Sequence, residues 1–368
     1  MKLGIIFGGR SSEHEISCLS AASILRALEN SKYELVKIGI TKKGEWKLFE
    51  GDADAIENCK WQDVAFPIEM GKIKEYVDFA FPVLHGRFGE DGTIQGFFEM
   101  LDLPYAGCNV LASALAMDKA VAKELFARAG LSVCEYVFVD AAEFADWEKT
   151  RQKYSEESCK AEKENVFEID DGRLDEKIAF LENRLSYPMF VKPVNMGSSV
   201  GITKAKNREM LKNALAFATG YDHRILVEKA VDAREIEIGI IGNHELYLSE
   251  IGEILPSAEF YDYEAKYLDG GKSGLCIPAV VEEKTKKEIE EMAKKAYKAL
   301  DCAGLARLDF FVEKKSGKVY INEINTLPGF TKFSMFPLLF EAAGMKYADL
   351  LERIIEFGHE KYYTKNNS

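Results

Sequence analysis

Two patterns in one chain predict a mixed α/β and α+β protein. The amino-terminal third alternates apolar runs ended by turn residues with segments of helical spacing, which is how a parallel sheet with crossover helices is written. The second half carries short strands and turns followed by one amphipathic helix. At 368 residues and roughly 150 residues per domain, two or three domains are expected. With 47% hydrophobic and 30% charged residues, the composition excludes collagen-like, disordered and disulfide-scaffold architectures.

The elements follow in order. MKLGIIFGG is a buried strand entering a glycine turn, and Ile16, Leu19, Ser20, Ile24 and Leu28 continue it at helical spacing. ELVKIGI at 34–40 and VDFAFPVLHG at 77–86 are further strands, the second followed by a helix through Ile94, Phe97, Phe98 and Leu101. Ligand loops are then expected at the strands' carboxyl ends. LAMDKAVAKELFARAG at 115–130 predicts one helix closed by Gly130, and the charged stretch 148–184 is expected to be a surface insertion. From 187 short strands and turns take over, and 284–300 predicts an amphipathic helix.

Charge and cysteine content bound the function. With 61 acidic against 48 basic residues, a net charge of -13, attraction to nucleic acid or an anionic membrane is disfavoured, so an anionic ligand needs a local basic site. The seven cysteines are dispersed and form no C-x-x-C pair, which points to neither a zinc knuckle nor a disulfide framework and fits a reducing cytoplasm. Leu3 to Phe7 is too short a run for a signal peptide, and nothing approaches the ~18 apolar residues of a membrane span.

Three segments carry chemistry. YPMFVKPVNMGSSVGI at 187–202 places Lys192 on a strand ahead of a loop with Gly197, Ser198, Ser199 and Gly201, whose exposed N–H groups can cradle phosphate; a plain hairpin loop is the alternative. Its glycines follow the lysine, so it is not a Walker A sequence. LARLDFFVEKKSGKVYINEINTLPG at 305–329 reads as two strands around Ser316 and Gly317. Arg307 and Asp309 share one strand face, and Glu323 and Asn325 share one face of its partner. If those faces coincide, Asp309, Glu323 and Asn325 form an oxygen cluster suited to Mg²⁺; the alternative is a solvated, ion-paired edge. RILVEKAVDAREIEIGIIG at 224–242 puts Glu228 at a strand end and Glu235 at the start of the next. FYDYEAKYLDGGKSG at 260–274 reads as a long loop in which Lys266 and Tyr267 can close over a site, or as a merely aromatic surface loop.

The order of these motifs resembles the D-alanine:D-alanine ligases of the ATP-grasp superfamily. The strings are GGRSSEHEIS at 8–17, LHGRFGEDG at 84–92, LAMDK at 115–119, KPVNMGSSVG at 192–201, FYDYEAKY at 260–267, ARLDF at 306–310 and NEINTLPGFT at 322–331. The likeness weakens at about 45–75, in the charged insertion and at the carboxyl end. It implies an ATP-grasp architecture: an amino-terminal Rossmann-like domain (1–111), a central subdomain (112–232) and a carboxyl-terminal catalytic domain (233–368).

The resemblance also implies roles. Lys119 and Lys192 hold nucleotide phosphates under the loop containing Gly197, Ser198 and Ser199. Glu228, Lys229, Ala230 and Val231 match the hinge that meets adenine through main-chain groups, and Glu235 matches the acid on the ribose. Asp309, Glu323 and Asn325 fall on ligands to two Mg²⁺ (or Mn²⁺), while Arg307 and the Gly329 N–H stabilise the acyl phosphate and tetrahedral intermediate. Glu13, tied to Ser198 and Tyr267, meets the first amino acid's ammonium, with His85 nearby and Ser334 at the second substrate's carboxylate. A homodimer through the amino-terminal domain is implied too. Tyr267 speaks against a D-alanine ester synthase, and Met335, where an arginine would follow Ser334, speaks against a D-serine enzyme. A dinucleotide-binding oxidoreductase fits poorly, because GGRSSEHE lacks G-x-G-x-x-G. A non-catalytic nucleotide-binding protein would leave the complete metal-ligand set without a use.

Overall fold

The computed structural model describes residues 1–145, 171–197, 200–255 and 274–366. Its amino-terminal part opens with β1 (Lys2–Gly8), α1 (His14–Ala27), β2 (Glu34–Ile40), β3 (Trp46–Phe49), α2 (Ala53–Glu57), β4 (Phe66–Pro67) and β5 (Phe79–Val83). They make one sheet in the order β4-β3-β2-β1-β5. β1 pairs in parallel with β2 and β5, as expected, and its Leu3, Ile5, Ile6 and Phe7 are wholly buried, so both faces are covered. The sheet is not parallel throughout: β3 and β4 add an antiparallel edge.

α3 (Thr93–Met100) follows, then α4 (Val110–Met117) and α5 (Lys119–Arg128). The expected single helix over 115–130 is therefore two. Asp118 leaves the helical region (φ -84, ψ 99) and its carboxylate accepts from the Val121 N–H, so it starts a new helix. Gly130 closes α5 as expected: at φ +73 it donates to the Ala127 carbonyl while the Leu131 N–H reaches Phe126, the two bonds of a Schellman turn.

The central sheet, in the order β6-β9-β7-β8, is antiparallel and comprises β6 (Tyr136–Asp140), β7 (Met189–Pro193), β8 (Thr203–Ala205) and β9 (Arg224–Lys229). α6 (Asp171–Arg184) and α7 (Arg208–Thr219) pack on it. The surface-insertion reading of 148–184 fails for α6, because Leu174, Ile178 and Leu181 are wholly buried in the central core. Their spacing is helical, but charged neighbours dilute it. Truncating Leu174 to alanine would cost about 2–5 kcal/mol. The rest of the insertion, 146–170, lies outside the described residues.

The third sheet runs β12-β11-β10-β13-β14 and is antiparallel. Its strands are β10 (Ala233–Gly242), β11 (Leu246–Leu255), β12 (Gly274–Cys276), β13 (Gly304–Glu313) and β14 (Val319–Asn325). α8 (Glu283–Ala299) buries Ile289, Ala293, Ala296 and Tyr297 against it, as the amphipathic pattern predicts. α4 and α5 share that same core through Ala112, Ala116 and Phe126. α9 (Met335–Ala342) and α10 (Tyr347–Asn366) end the chain. Leu350, Leu351, Ile354 and Ile355 of α10 join Leu3, Ile5 and Phe330 in one apolar cluster, which locks the first sheet to the third. The three sheets surround one cavity of about 690 Å³.

Candidate active site

The third sheet supplies an acidic wall. Pairing register sets Glu237, Asp309 and Glu323 side by side across β10, β13 and β14, with Arg307 opposite Asn325 one step along. The two strand faces therefore coincide, and all five residues line the cavity. A register shift between Asp309 and Phe310 bulges Asn322 out of the pairing, so Glu323 stays opposite Asp309 while the apolar residues beyond remain in the core. Arg307 is the cation of this wall. Its guanidinium grips Asp309 through two bonds of 2.8 and 2.7 Å and meets Glu237 at 2.9 Å. Burial opposes its charge, but Asp309, Glu237 and Glu323 hold it well above the ordinary arginine range.

The donor set fits a divalent cation. Asn325 turns its amide nitrogen onto Asp309 at 3.0 Å, which leaves its carbonyl oxygen as a donor beside the Asp309 and Glu323 carboxylates. Among the described residues no three His, Cys, Asp or Glu side chains converge on one point. An ion here would draw on these oxygens together with ligand phosphate and water, the manner in which Mg²⁺ is ordinarily held.

The opposite wall is basic. The Glu228 carboxylate, 2% exposed, lies between two ammoniums: Lys192 Nζ at 2.5 Å from Oε2 and Lys123 Nζ at 2.7 Å from Oε1. Burial alone would raise its pKa, yet the two cations pull it down to about 2. Lys192 is likewise held above the usual lysine range, burial being outweighed by Glu228 and Glu323. Lys119 is held below that range by burial, with Lys192 repelling it and Glu323 partly compensating. Its Nζ donates to the Met196 carbonyl at 2.6 Å, at the start of the glycine-rich loop. That loop connects the hairpin β7–β8, so the hairpin reading of it holds. Gly197 lines the cavity; Ser198 and Ser199 lie outside the described residues.

At the hinge two main-chain donors are already used. Lys229, Ala230, Val231 and Glu235 line the cavity, but the Lys229 and Ala230 N–H groups are spent on the Glu135 and Pro188 carbonyls. They are not the groups that would donate to a base.

The amino-terminal sheet supplies a third wall. Glu13 stands at the N-cap of α1 yet makes no side-chain cap, and its carboxylate turns into the cavity. A Cβ on Gly86, at φ +70, would come 2.5 Å from Glu13 Oε2, and one on Gly197 3.5 Å, so the acid sits in a slot that the two glycines leave open. His85 lines the cavity with Nε2 3.2 Å from Ser20 Oγ and Nδ1 3.7 Å from Glu90. Burial disfavours its charge, but Glu90 and Glu13 hold its pKa above the ordinary imidazole value. Ser20 Oγ accepts from the Phe330 N–H, and so fixes the backbone next to Gly329, which also lines the cavity. Ser334 is tied to Thr331 and stands behind Gly329, where a Cβ would lie 2.8 Å from its hydroxyl. Met335 is buried with Ile254 and Leu339, so packing also keeps a charge out of that position. Lys266 and Tyr267 lie outside the described residues.

Three residues of the site escaped the sequence reading. Lys123 lies one helical turn beyond Lys119, Glu237 two residues beyond Glu235 on the same strand face, and Glu90 five residues beyond His85. Spacing from a residue already singled out was the available signal for Lys123 and Glu237, whereas Glu90 lies on a turn that has no such period.

Known proteins share this chain's sequence and fold along nearly its whole length. A family model described as "D-ala D-ala ligase N-terminus" matches residues 2–108, and one described as "D-ala D-ala ligase C-terminus" matches residues 160–356. A D-alanine–D-alanine ligase of Thermoanaerobacter sp. (strain X514) is 45% identical, over 99% of this chain and 98% of its own. Its counterpart in Clostridium acetobutylicum is 45% identical, over 96% and 97%. Among solved structures, the D-alanine-D-alanine ligase from Coxiella burnetii superposes with a TM-score of 0.81 at 30% identity, covering 100% of this chain and 96% of that one. The VanG D-Ala:D-Ser ligase from Enterococcus faecalis gives 0.79 at 34%, covering 97% and 99%.

Proposed function

The chain belongs to the D-ala D-ala ligase family and joins two D-alanine molecules in an ATP-dependent reaction, and on that premise we propose how its residues divide the work. The reaction passes through D-alanyl phosphate, releases ADP and phosphate, and serves peptidoglycan precursor synthesis. The fold is the ATP-grasp architecture expected from the sequence.

One observation carries the assignment: a wall with surplus cations and a wall with surplus carboxylates face one cavity. On the basic side Lys119, Lys192 and the loop from Gly197 would take the nucleotide phosphates, with carbonyls of the 228–231 segment and Glu235 beside the nucleoside. On the acidic side Asp309, Glu323 and Asn325 would hold Mg²⁺, which when bound would neutralise phosphate charge and orient the transferred group. Glu13, supported by His85, offers a buried anion to the first D-alanine's ammonium. The carboxylate of that D-alanine then attacks the γ-phosphorus, ADP departs, and a poor acyl donor becomes an acyl phosphate.

The second D-alanine's amine attacks that carbonyl, and phosphate departs. Arg307 and the Gly329 N–H would stabilise the oxyanion formed, and Ser334 would meet the second substrate's carboxylate. Ser198 and Ser199 would join the phosphate contacts, and Lys266 and Tyr267 would shield the acyl phosphate from water. The domain division at 1–111, 112–232 and 233–368 belongs to the same reading. So does a homodimer, supported by Phe66 on the edge strand β4, 58% exposed. A cytoplasmic location belongs to the same reading; among the described residues no helix is long and apolar enough to cross a membrane.

Incubating the protein with ATP, Mg²⁺ and single amino acids tests the scheme. D-alanine alone should release phosphate and give a dipeptide of the expected mass, and D-serine should compete poorly as second substrate. Preferred formation of D-alanyl-D-serine would overturn the D-alanine assignment of the second subsite.

A further inference from the structure

Lys123 has no place in the scheme above, yet it is 2% exposed, and a buried ammonium is tolerable only with a partner. Its partner is Glu228 at 2.7 Å. Lys119, Lys192 and Glu228 line the cavity, whereas Lys123 stands behind Glu228, its ammonium 6.0 Å from the centre of the Tyr136 ring. Lys119 and Lys123 are four residues apart on α5, so one helix face presents one lysine to the cavity and the other to the back of the carboxylate.

We propose that Lys123 is a positioning residue: by occupying one oxygen of Glu228 it keeps that carboxylate from monopolising Lys192, and so leaves Lys192 free to engage phosphate. This rests on Lys192 being a phosphate ligand. The reasoning is one of charge. In a dry site a carboxylate with a single ammonium neighbour forms a neutral pair, and any phosphate must compete with it for the cation. With two ammoniums on one carboxylate, a positive surplus remains. Lys123 cannot reach the ligand past Glu228, so the surplus is expressed at Lys192, the member of the triad on the cavity wall. Glu228 is thereby also kept ionised, its pKa drawn down to about 2 against the effect of burial.

Lys123 should therefore matter in proportion to ligand phosphate charge. Calorimetric titration of Lys123→Met with adenosine and with ADP, both with Mg²⁺, should show ADP binding weakened at least about tenfold and adenosine binding changed less than about twofold. Lys123→Arg should keep most of the ADP affinity. Equal losses for both ligands would mean that Lys123 merely props up the pocket, and would overturn the proposal.

Epistasis gives the second reading. In the Glu228→Gln background no anion competes for Lys192, so adding Lys123→Met should leave ADP affinity unchanged; a further tenfold loss would overturn the proposal. The double variant carries neither buried charge of that pair, so it can also be set against the parent where a single variant fails to fold: ADP affinity no lower than the parent's is expected, and a tenfold loss would overturn the proposal. Lys192→Met separates the two levels. If it leaves the ADP-to-adenosine ratio unaltered, the phosphate assignment itself fails. If it collapses that ratio while Lys123→Met does not, only the role of Lys123 fails.

Discussion

The two ion clusters on the cavity walls use the same kinds of side chain in inverse proportion. On the central sheet two ammoniums, of Lys123 and Lys192, share the Glu228 carboxylate. On the third sheet the Arg307 guanidinium pairs with Asp309 and Glu237, with Glu323 acting on it as well. The first cluster is buried and the second partly so, and in both the minority ion is shared between two partners of opposite sign. The majority ions are thus left partly uncompensated, and each wall wants a ligand of the sign it lacks: anions at the lysines, cations at the carboxylates. A magnesium nucleotide is a ligand that brings both.

That contrast can be broken most severely on the acidic side. Glu323→Gln removes one of the majority charges without changing size, so turnover should fall by roughly a hundredfold or more. The Mg²⁺ concentration needed for nucleotide binding should rise with it. A titration of ADP binding against Mg²⁺ checks this, and an unchanged Mg²⁺ demand would remove Glu323 from the metal site.

The basic side should respond in a different ligand. Lys192→Ala deletes the ammonium that faces the cavity, so ADP affinity should fall by roughly 10- to 100-fold. D-alanine affinity should barely move, because Glu13 and His85 lie on another wall. Calorimetry with each ligand separately makes the test, and equal losses would show that the walls are not specialised by sign.

How much of this was legible beforehand depended on whether a residue acts within its own element. Arg307 with Asp309, and Glu323 with Asn325, are two-residue repeats on strands otherwise apolar, so the charged face could be read locally; that the faces coincide was a conditional that the register fulfils. The parallel start of the fold was readable for the same reason, since β1 is buried on both faces and carries no polar residue between Leu3 and Phe7. Lys123 was not readable. A lysine in an amphipathic, charge-bearing helix looks solvated, and only the packing of α5 near β9 turns it into a buried counter-ion. The α6 stripe of Leu174, Ile178 and Leu181 failed likewise, because charges between its members mask a face that only the central sheet defines.

A milder test of the comparison uses pH. Glu228 is depressed to about 2 in the folded protein, against roughly 4.3 in an unfolded chain. A depressed carboxylate stabilises the fold above its unfolded pKa, and that stabilisation is lost as pH falls from about 4.3 towards 2. The amount is on the order of 3 kcal/mol. Denaturant midpoints measured from pH 5 to pH 2 should therefore fall less steeply in Glu228→Gln than in the parent, whatever their absolute values. Parallel curves would mean that the two ammoniums do not hold the carboxylate as the geometry requires.

The smallest effect concerns the third wall, where cation and anion are matched more evenly. His85 is held above the ordinary imidazole pKa: burial opposes its charge, but Glu90 at 3.7 Å and Glu13 more than offset that. Whatever the protonated ring stabilises is present at low pH and lost as pH rises through the folded-state pKa. Glu90→Gln removes the larger favourable charge and leaves the burial, so the His85 pKa should drop. Proton NMR can follow it, since the chain has only five histidines and the His85→Asn spectrum identifies the resonance. The consequence for turnover runs through Ser20, which meets His85 Nε2 and accepts the Phe330 N–H beside Gly329. A charged ring must donate to Ser20 Oγ, whereas a neutral ring with its proton on Nδ1 cannot. In Glu90→Gln the alkaline fall in activity should therefore begin at lower pH than in the parent, while ADP affinity stays constant across the range. An activity profile that does not move when the resonance does would detach His85 from the oxyanion backbone and leave it to the first D-alanine alone.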